Sequence, residues 1–234
     1  MQHIATATHF DHLVVLADTL EEGAAWCQAT LGVAPLPGGR HARFGTHNRL
    51  LNIASQAWPQ AYLEIIAIDP AAGQVGGHTN GSKRWYDMDV AALRESVRRH
   101  GPQLIHWVAA VPDIDAAVAR LATLDIDRGD VLSVSRMTAA GPLHWRIAVR
   151  PDGQRLMEGC LPTLIEWGDT HPISTMPASG VRLRALQLSH PRAEALRAVL
   201  QAIGATQVDL STGPACIRAE LDTPKGPVRL KSCT

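Results

Sequence analysis

Four side chains stand where polar groups are uncommon. His12 lies inside FDHLVVL (residues 10–16) and His106 inside LIHWVAAV (104–111), two short apolar runs rich in β-branched residues. Glu64 lies inside YLEIIAI (62–68) and Glu166 inside LPTLIEWG (161–168). An imidazole buried without a partner is costly, and carboxylates inside apolar strands are rarely buried unpaired. The order is the same twice over, a His-bearing stretch and later a Glu-bearing one. If the two halves pair with pseudo-two-fold symmetry, two imidazoles and two carboxylates can meet in one cavity. That donor set suits Zn²⁺, Ni²⁺, Co²⁺, Mn²⁺ or Fe²⁺, with room left for water or substrate.

A second group of candidates sits in RHARFGTHNRLL (40–51). Arg40, His41, His47, Asn48 and Arg49 supply donors suited to a substrate carboxylate or phosphate, and Gly45 would let the backbone approach a ligand. Along a strand His47 and Arg49 point one way and Asn48 the other, so not all of them can face one cavity. Trp107, Trp145 and Trp167 are expected to be packing residues, and Arg94, Arg98 and Arg99 the solvated face of a helix. No G-x-S-x-G, G-x-G-x-x-G or phosphate loop is present, and no Cys has a convincing His partner.

The elements that would hold these residues repeat. Residues 10–16 read as a strand. Asp18 with Glu21 makes a capping box for a helix carrying Leu20, Ala24, Cys27 and Leu31, which Gly32 stops. PLPGGRHARFG reads as a loop, and 46–54 and 62–68 as strands. The Gly-rich polar stretch 71–82 is a linker or exposed loop, followed by a helix over 89–100 with Val90, Leu93 and Val97 on one face. The phrase then restarts: a strand over 104–111, a helix capped by Asp113, strands over 131–135, 143–149 and 161–167, and a turn at Pro151-Asp152-Gly153. After the Pro-containing segment 170–180, a third copy follows, with a strand from Val181, a helix over 191–203 and three short strands. Its opening strand lacks a His.

The expected fold class is therefore α+β, built of repeated βαβββ units. The first module spans 1–70, a linker with a helix 71–103, the second module 104–170 and a third, diverged unit 181–234. A unit this small buries its own apolar face poorly, so copies should pair. The third could cover an open sheet edge or pair with its counterpart in a homodimer.

Composition sets outer bounds. The chain has 234 residues, 22 Lys plus Arg against 22 Asp plus Glu, and 46% hydrophobic residues. Zero net charge leaves no electrostatic footprint for nucleic acid or an anionic membrane. No apolar run approaches a membrane span, and the N-terminal stretch does not read as a signal peptide. The four cysteines are scattered and lack C-x-x-C spacing, which points to a reducing compartment without a disulfide framework. A cytoplasmic protein acting on a small molecule is the expectation.

Paired βαβββ units with a His on each first strand and a Glu on each last strand resemble the vicinal oxygen chelate superfamily, which includes glyoxalase I, methylmalonyl-CoA epimerase and extradiol dioxygenases. The wording FDHLVV, RFGTHNRLL, YLEIIAIDP, LIHWV and LPTLIEW resembles its glyoxalase-like domain branch. The resemblance implies metal ligation by His12, Glu64, His106 and Glu166. It also implies a metal-dependent isomerase, epimerase or lyase that stabilises an enediolate of a substrate with vicinal oxygens. Glu166 or Glu64 would leave the metal to act as base, Glu166 being favoured by family analogy. The competing readings are an Fe²⁺ extradiol-type dioxygenase and a metal-free protein that binds or sequesters a small molecule. Two departures from the family pattern stand out: the long insert at 71–103 and the third copy.

Overall fold

A computed structural model describes residues 7–72, 83–138 and 141–232. Most of the Gly-rich stretch 71–82 lies outside the described residues.

The two His-bearing runs form strands β1 (His9–Leu16) and β5 (Gln103–Ala110), which are buried along nearly their whole length. Each opens a βαβββ unit. The first continues with α1 (Leu20–Leu31), β2 (Leu36–His41), β3 (Thr46–Asn52) and β4 (Tyr62–Ile68). After α2 (Ala91–His100), the second unit follows β5 with α3 (Ile114–Ala122), β6 (Asp130–Thr138), β7 (Gly141–Val149) and β8 (Thr163–Trp167). β1 and β5 pair antiparallel and fuse the units into one eight-stranded sheet, ordered β2-β3-β4-β1-β5-β8-β7-β6. In each unit the last strand returns parallel to the first. The sheet curls until its edge strands face each other: a Cβ built on Gly39 of β2 would lie 2.1 Å from Nη1 of Arg136 on β6.

Helices α1 and α3 cover the convex face, whereas α2 packs Val97 and Leu93 into the cluster on the other side. On the convex face Leu13, Val15, Leu31, Leu63, Trp107, Leu121 and Leu164 belong to the larger core. The concave face carries a second cluster, with Val14, Ile66, Val108, Ile147 and Ile165 from the strands. It is plugged by Phe44, Trp85 and Tyr86, whose rings stack in succession, Phe44 on Trp85 with centroids 3.9 Å apart.

The third unit, β9 (Arg182–His190), α4 (Ala193–Ala202), β10 (Asp209–Thr212), β11 (Cys216–Thr223) and β12 (Gly226–Lys231), keeps the βαβββ order along the chain. Its sheet, however, runs β10-β9-β11-β12, so the strand beside and parallel to β9 is the second one and not the last. It covers neither edge of the large sheet. Leu188, Leu196 and Ile217 join the convex-face core beside Trp107, Cys160 and Leu161, which shields that face from water.

Several local expectations change. LPGGRH (Leu36–His41) is an edge strand and not part of a loop, since β2 pairs with β3 on one side only; its two glycines lower strand propensity without preventing it. Thr19, not Asp18, caps α1, its hydroxyl accepting the Glu22 N–H. Val90 caps α2 and is exposed. Asp113 caps α3 as expected, accepting the Ala116 N–H. Cys216 is disulfide-bonded, which the expectation of a reducing compartment without a disulfide framework did not include, whereas Cys27 and Cys160 are buried free thiols. Disulfide pairing depends on Cα separation in space, which linear spacing does not report. Among the described residues, no helix is long and apolar enough to cross a membrane.

Candidate functional site

The concave face should carry alternate residues of β1, yet both Asp11 and His12 reach it. Phe10 pairs with Ala109 and His12 with Val108, which leaves Asp11 as the extra residue of a β-bulge. Bulges re-aim side chains in this way. Phe10 consequently faces the convex core, whereas His12 and Val14 face the concavity.

Asp11 is fully buried and accepts three donors: His12 Nδ1–H at 2.5 Å, Trp167 Nε1–H at 2.8 Å and His171 Nε2–H at 3.0 Å. The His171 tautomer follows from its other nitrogen, which accepts the Ile173 N–H. Burial opposes the Asp11 charge, but His171 and His12 outweigh it and hold the carboxyl well below the usual range. His12 is oriented from behind by Asp11, and its Nε2 points at Glu64 Oε2, 3.6 Å away. That is beyond direct hydrogen-bond length. Burial alone would lower the His12 pKa, yet the two flanking carboxylates raise it to about 9. Glu64 is held below its usual pKa because His12 and the Asn48 amide outweigh its burial. At neutral pH the centre is an imidazolium between two carboxylates.

Asn48 has all its groups engaged. Its Nδ2 donates to Glu64 Oε1 at 2.6 Å and to His41 Nε2 at 3.3 Å, and its Oδ1 accepts the Gly39 N–H at 2.7 Å. His41 in turn donates through Nδ1 to Thr46 Oγ1, and burial pushes its pKa down to about 4, so it is neutral. The Tyr62 ring stacks on His12 with centroids 4.4 Å apart.

The structure brings together His12, Glu64, His41 and Asn48, and leaves the other sequence candidates elsewhere. His47 and Arg49 pair with Ala67 and Ile65, which belong to the convex core, so both face away from the cavity. Arg40 is largely exposed and reaches Asp69 at 3.3 Å.

Glu166 also lies on the wrong face. Its Oε2 accepts the N–H of Ile114, the first residue of α3, at 2.8 Å and approaches Arg146. Ile165 and Trp167 turn inward on either side of it, and strand alternation sends the residue between them outward. His106 does face the concavity, but both ring nitrogens are engaged. Nε2 accepts the Thr163 N–H at 3.1 Å and Nδ1 donates to the Gly159 carbonyl at 3.1 Å. Burial keeps this ring neutral, helped by the charges of Arg155 and Arg128.

The expected four-ligand metal site is therefore not formed. His12 and Glu64 are two suitable donors, and an imidazole backed by a carboxylate is a common metal ligand. The His106 half offers no free donor, and two donors fall short of the three or four that such ions take from protein. Among the described residues, no group of three or more His, Cys, Asp or Glu could hold a metal ion.

The polar cluster opens on a cavity of about 30 Å³, lined also by Trp145, Ile147 and Trp167. Outside it lies a cleft of about 360 Å³ between β2 and β6. Leu50, Arg136, Leu143 and Pro172 belong to both walls. Asp11, Trp167, His171 and Arg136 were not recognised as site residues from the sequence. The Asp11-His12 dipeptide was visible, but adjacent strand residues ordinarily point apart, and only the bulge reunites them.

Two βαβββ units joined through their first strands, with a polar cluster inside the curl, define a fold of the vicinal oxygen chelate type. A family model described as "Glyoxalase-like domain" matches residues 10–204, and the chain belongs to that family. No curated protein matches the sequence. Among solved structures, a hypothetical protein from Staphylococcus aureus is similar over 96% of this chain and 85% of its own, with a TM-score of 0.57 and 14% identity. Methylmalonyl-CoA epimerase from Streptomyces coelicolor, in complex with 2-nitronate-propionyl-CoA, matches 69% of this chain and 97% of its own, with a TM-score of 0.40 and 14% identity. The Mycobacterium tuberculosis enzyme of that name matches 71% and 91%, with a TM-score of 0.39 and 14% identity.

Proposed function

We propose that this protein catalyses proton transfer at a carbon next to a carbonyl of a small molecule, as an isomerase or epimerase, with Glu64 as base and His12 as acid. The observation that carries the reading is the buried relay Asp11–His12–Glu64. It holds a protonated imidazole and an ionised carboxylate face to face, 3.6 Å apart, at the end of a cavity.

In this reading Glu64 Oε2 accepts the proton from carbon, and His12 Nε2–H donates to the oxygen that gathers the electron pair. A preorganised charged donor in a water-poor site is well suited to stabilise that oxygen. Asp11 keeps the imidazolium charged and aligned, with the positive charge balanced by carboxylates on both sides. Asn48 fixes the Glu64 carboxylate through Oε1 and leaves Oε2 for the substrate. The proton then returns to the former carbonyl carbon while the hydroxyl on the deprotonated carbon gives its proton back to His12, which moves the carbonyl by one position; inversion of the same carbon needs a proton delivered from the opposite face. In this reading the chemistry comes from His12 and Glu64, and no step is assigned to a metal.

The test is solvent exchange. A panel of 2-oxo acids, 2-hydroxy aldehydes and 2-methyl-branched acyl thioesters is incubated with the protein in D₂O and followed by proton NMR. Deuterium should enter at the carbon beside the carbonyl of at least one compound, and Glu64→Gln should slow this by about 100-fold or more. Compounds that bind with no exchange anywhere in the panel would replace this reading with a binding or sequestering role.

A further inference from the structure

Among the described residues that line the cavity, Arg136 carries a charge that the polar cluster does not pair. It comes from edge strand β6 and lies across the mouth of the curl against Gly39 of β2, where any side chain would collide with its guanidinium. Its Nε and Nη1 atoms are shut off from solvent and have no hydrogen-bond partner, and among the described residues it forms no ion pair. A buried guanidinium nitrogen without an acceptor is costly. The residue also belongs to the walls of both the inner cavity and the outer cleft. Its positive charge is felt inside: burial lowers the His41 pKa and Arg136 adds to that lowering, while burial raises the Tyr62 pKa and Arg136 opposes the rise.

We propose that Arg136 is the anchor for an anionic head group, a carboxylate or a phosphoryl group, carried by the molecule that enters the cleft. The geometry fits in two respects. The Arg136 side chain lines a passage that already exists, from the outer cleft to the inner cavity. Gly38 and Gly39 on the opposite strand add no side chain of their own to that passage. Guanidinium groups recognise planar oxyanions with directed hydrogen bonds. A substrate held there by its acid group would lie in the outer cleft at one end and direct its next carbons past Leu50 and Leu143 toward Glu64. The assignment of what happens to those carbons rests on the proton-transfer reading; the binding of the head group does not.

The experiment titrates malonate, inorganic phosphate and neutral malonamide into the wild-type chain, Arg136→Gln, Arg136→Lys and Glu64→Gln. Trp145 and Trp167 line the inner cavity and serve as fluorescence reporters, with thermal melting in parallel. A saturable malonate or phosphate signal is expected in the wild type and absent for malonamide. It should weaken by roughly tenfold or more in Arg136→Gln, weaken less in Arg136→Lys, and persist or tighten in Glu64→Gln. Which anion responds decides between a carboxylate and a phosphoryl head group. Arg136→Gln should melt within a few degrees of wild type without ligand, because it removes no hydrogen bond or ion pair among the described residues. Equal anion binding by wild type and Arg136→Gln, or no saturable binding of either anion to wild type, overturns the anchor. Anion binding that depends on Arg136, with no deuterium exchange anywhere, would refute the proton-transfer reading alone. Exchange that depends on Glu64 but not on Arg136 would refute the anchor alone.

Discussion

Thr163 occupies the place in the second unit that Glu64 occupies in the first. Glu64 pairs with Val14, two residues past His12, and Thr163 pairs with Val108, two residues past His106. Because His12 lies opposite Val108 and His106 opposite Val14, one pseudo-two-fold axis relates both pairs. The symmetry of the backbone is kept while its chemistry is divided. One half holds an ionised His–Glu pair, and the other a neutral His closed off by Thr163 and Gly159.

That division sets the expected metal content. Protein purified without metal-affinity steps should carry far less than one Zn²⁺, Ni²⁺, Mn²⁺ or Fe²⁺ per chain by elemental analysis. A His12→Ala/His106→Ala double variant should not differ. A stoichiometric ion that the double variant loses would contradict the geometry described here.

Glu166 should behave as a helix anchor. Glu166→Ala removes the acceptor for the Ile114 N–H and a negative charge at the start of α3. It should cost about 0.5–2 kcal/mol in urea unfolding and leave deuterium exchange within about twofold of wild type. A large loss of exchange with unchanged stability would return Glu166 to the reacting centre.

Stability should fall on the alkaline side. The His12 pKa is raised in the folded chain to about 9 from 6.5, so folding takes up a proton between those values. Its contribution is complete below about pH 6.5 and is lost as the pH rises to about 9, a difference of about 3 kcal/mol. His41, lowered to about 4, acts in the opposite sense: its contribution is complete above pH 6.5 and is lost as the pH falls toward 4. Urea midpoints measured across this range should therefore peak near neutrality, and His12→Gln should flatten the alkaline limb. An alkaline limb of equal slope in that variant would assign the titration to another group.

The two glycines of β2 should separate in their effects. A Cβ on Gly38 would lie 2.0 Å from Asn48 Oδ1 and 2.4 Å from the Asn48 backbone oxygen, neither of which can yield without breaking the Glu64 support. Gly38→Ala should cost about 1–3 kcal/mol. At Gly39 the first atom met is the end of the flexible Arg136 side chain. Gly39→Ala should therefore be milder in thermal melts and act chiefly on anion binding. The reverse order of stabilities would show that β2 lies further from β3 than described.

Much of this was legible from local chemistry. Alternating or continuous apolar runs marked nearly every strand, and YLEIIAI became β4 with the bounds expected. The repeated strand–helix–strand order predicted two paired units because a single unit cannot cover its own apolar face. His12 and Glu64 were found because a polar group inside such a run needs a partner, and each is the other's neighbour. The recurrence of the strand–helix–strand pattern also marked the third unit, though not its altered strand order, which depends on which strand edges meet.

What remained hidden depends on register. Side chains alternate with a period of two, so one extra residue in a strand exchanges the faces of all that follow. The bulge at Asp11 brings two adjacent residues to one cavity. In β8 the inward positions are Thr163, Ile165 and Trp167, and the only carboxylate of that strand falls between them. Arg136 became a site residue because the sheet curls and carries one edge across to the other. Local sequence marked most of the strands, their repetition and the buried His–Glu pair, but not β2. Only the tertiary structure decided which face each residue takes, because that is set by the neighbouring strand and not by the residue's own run.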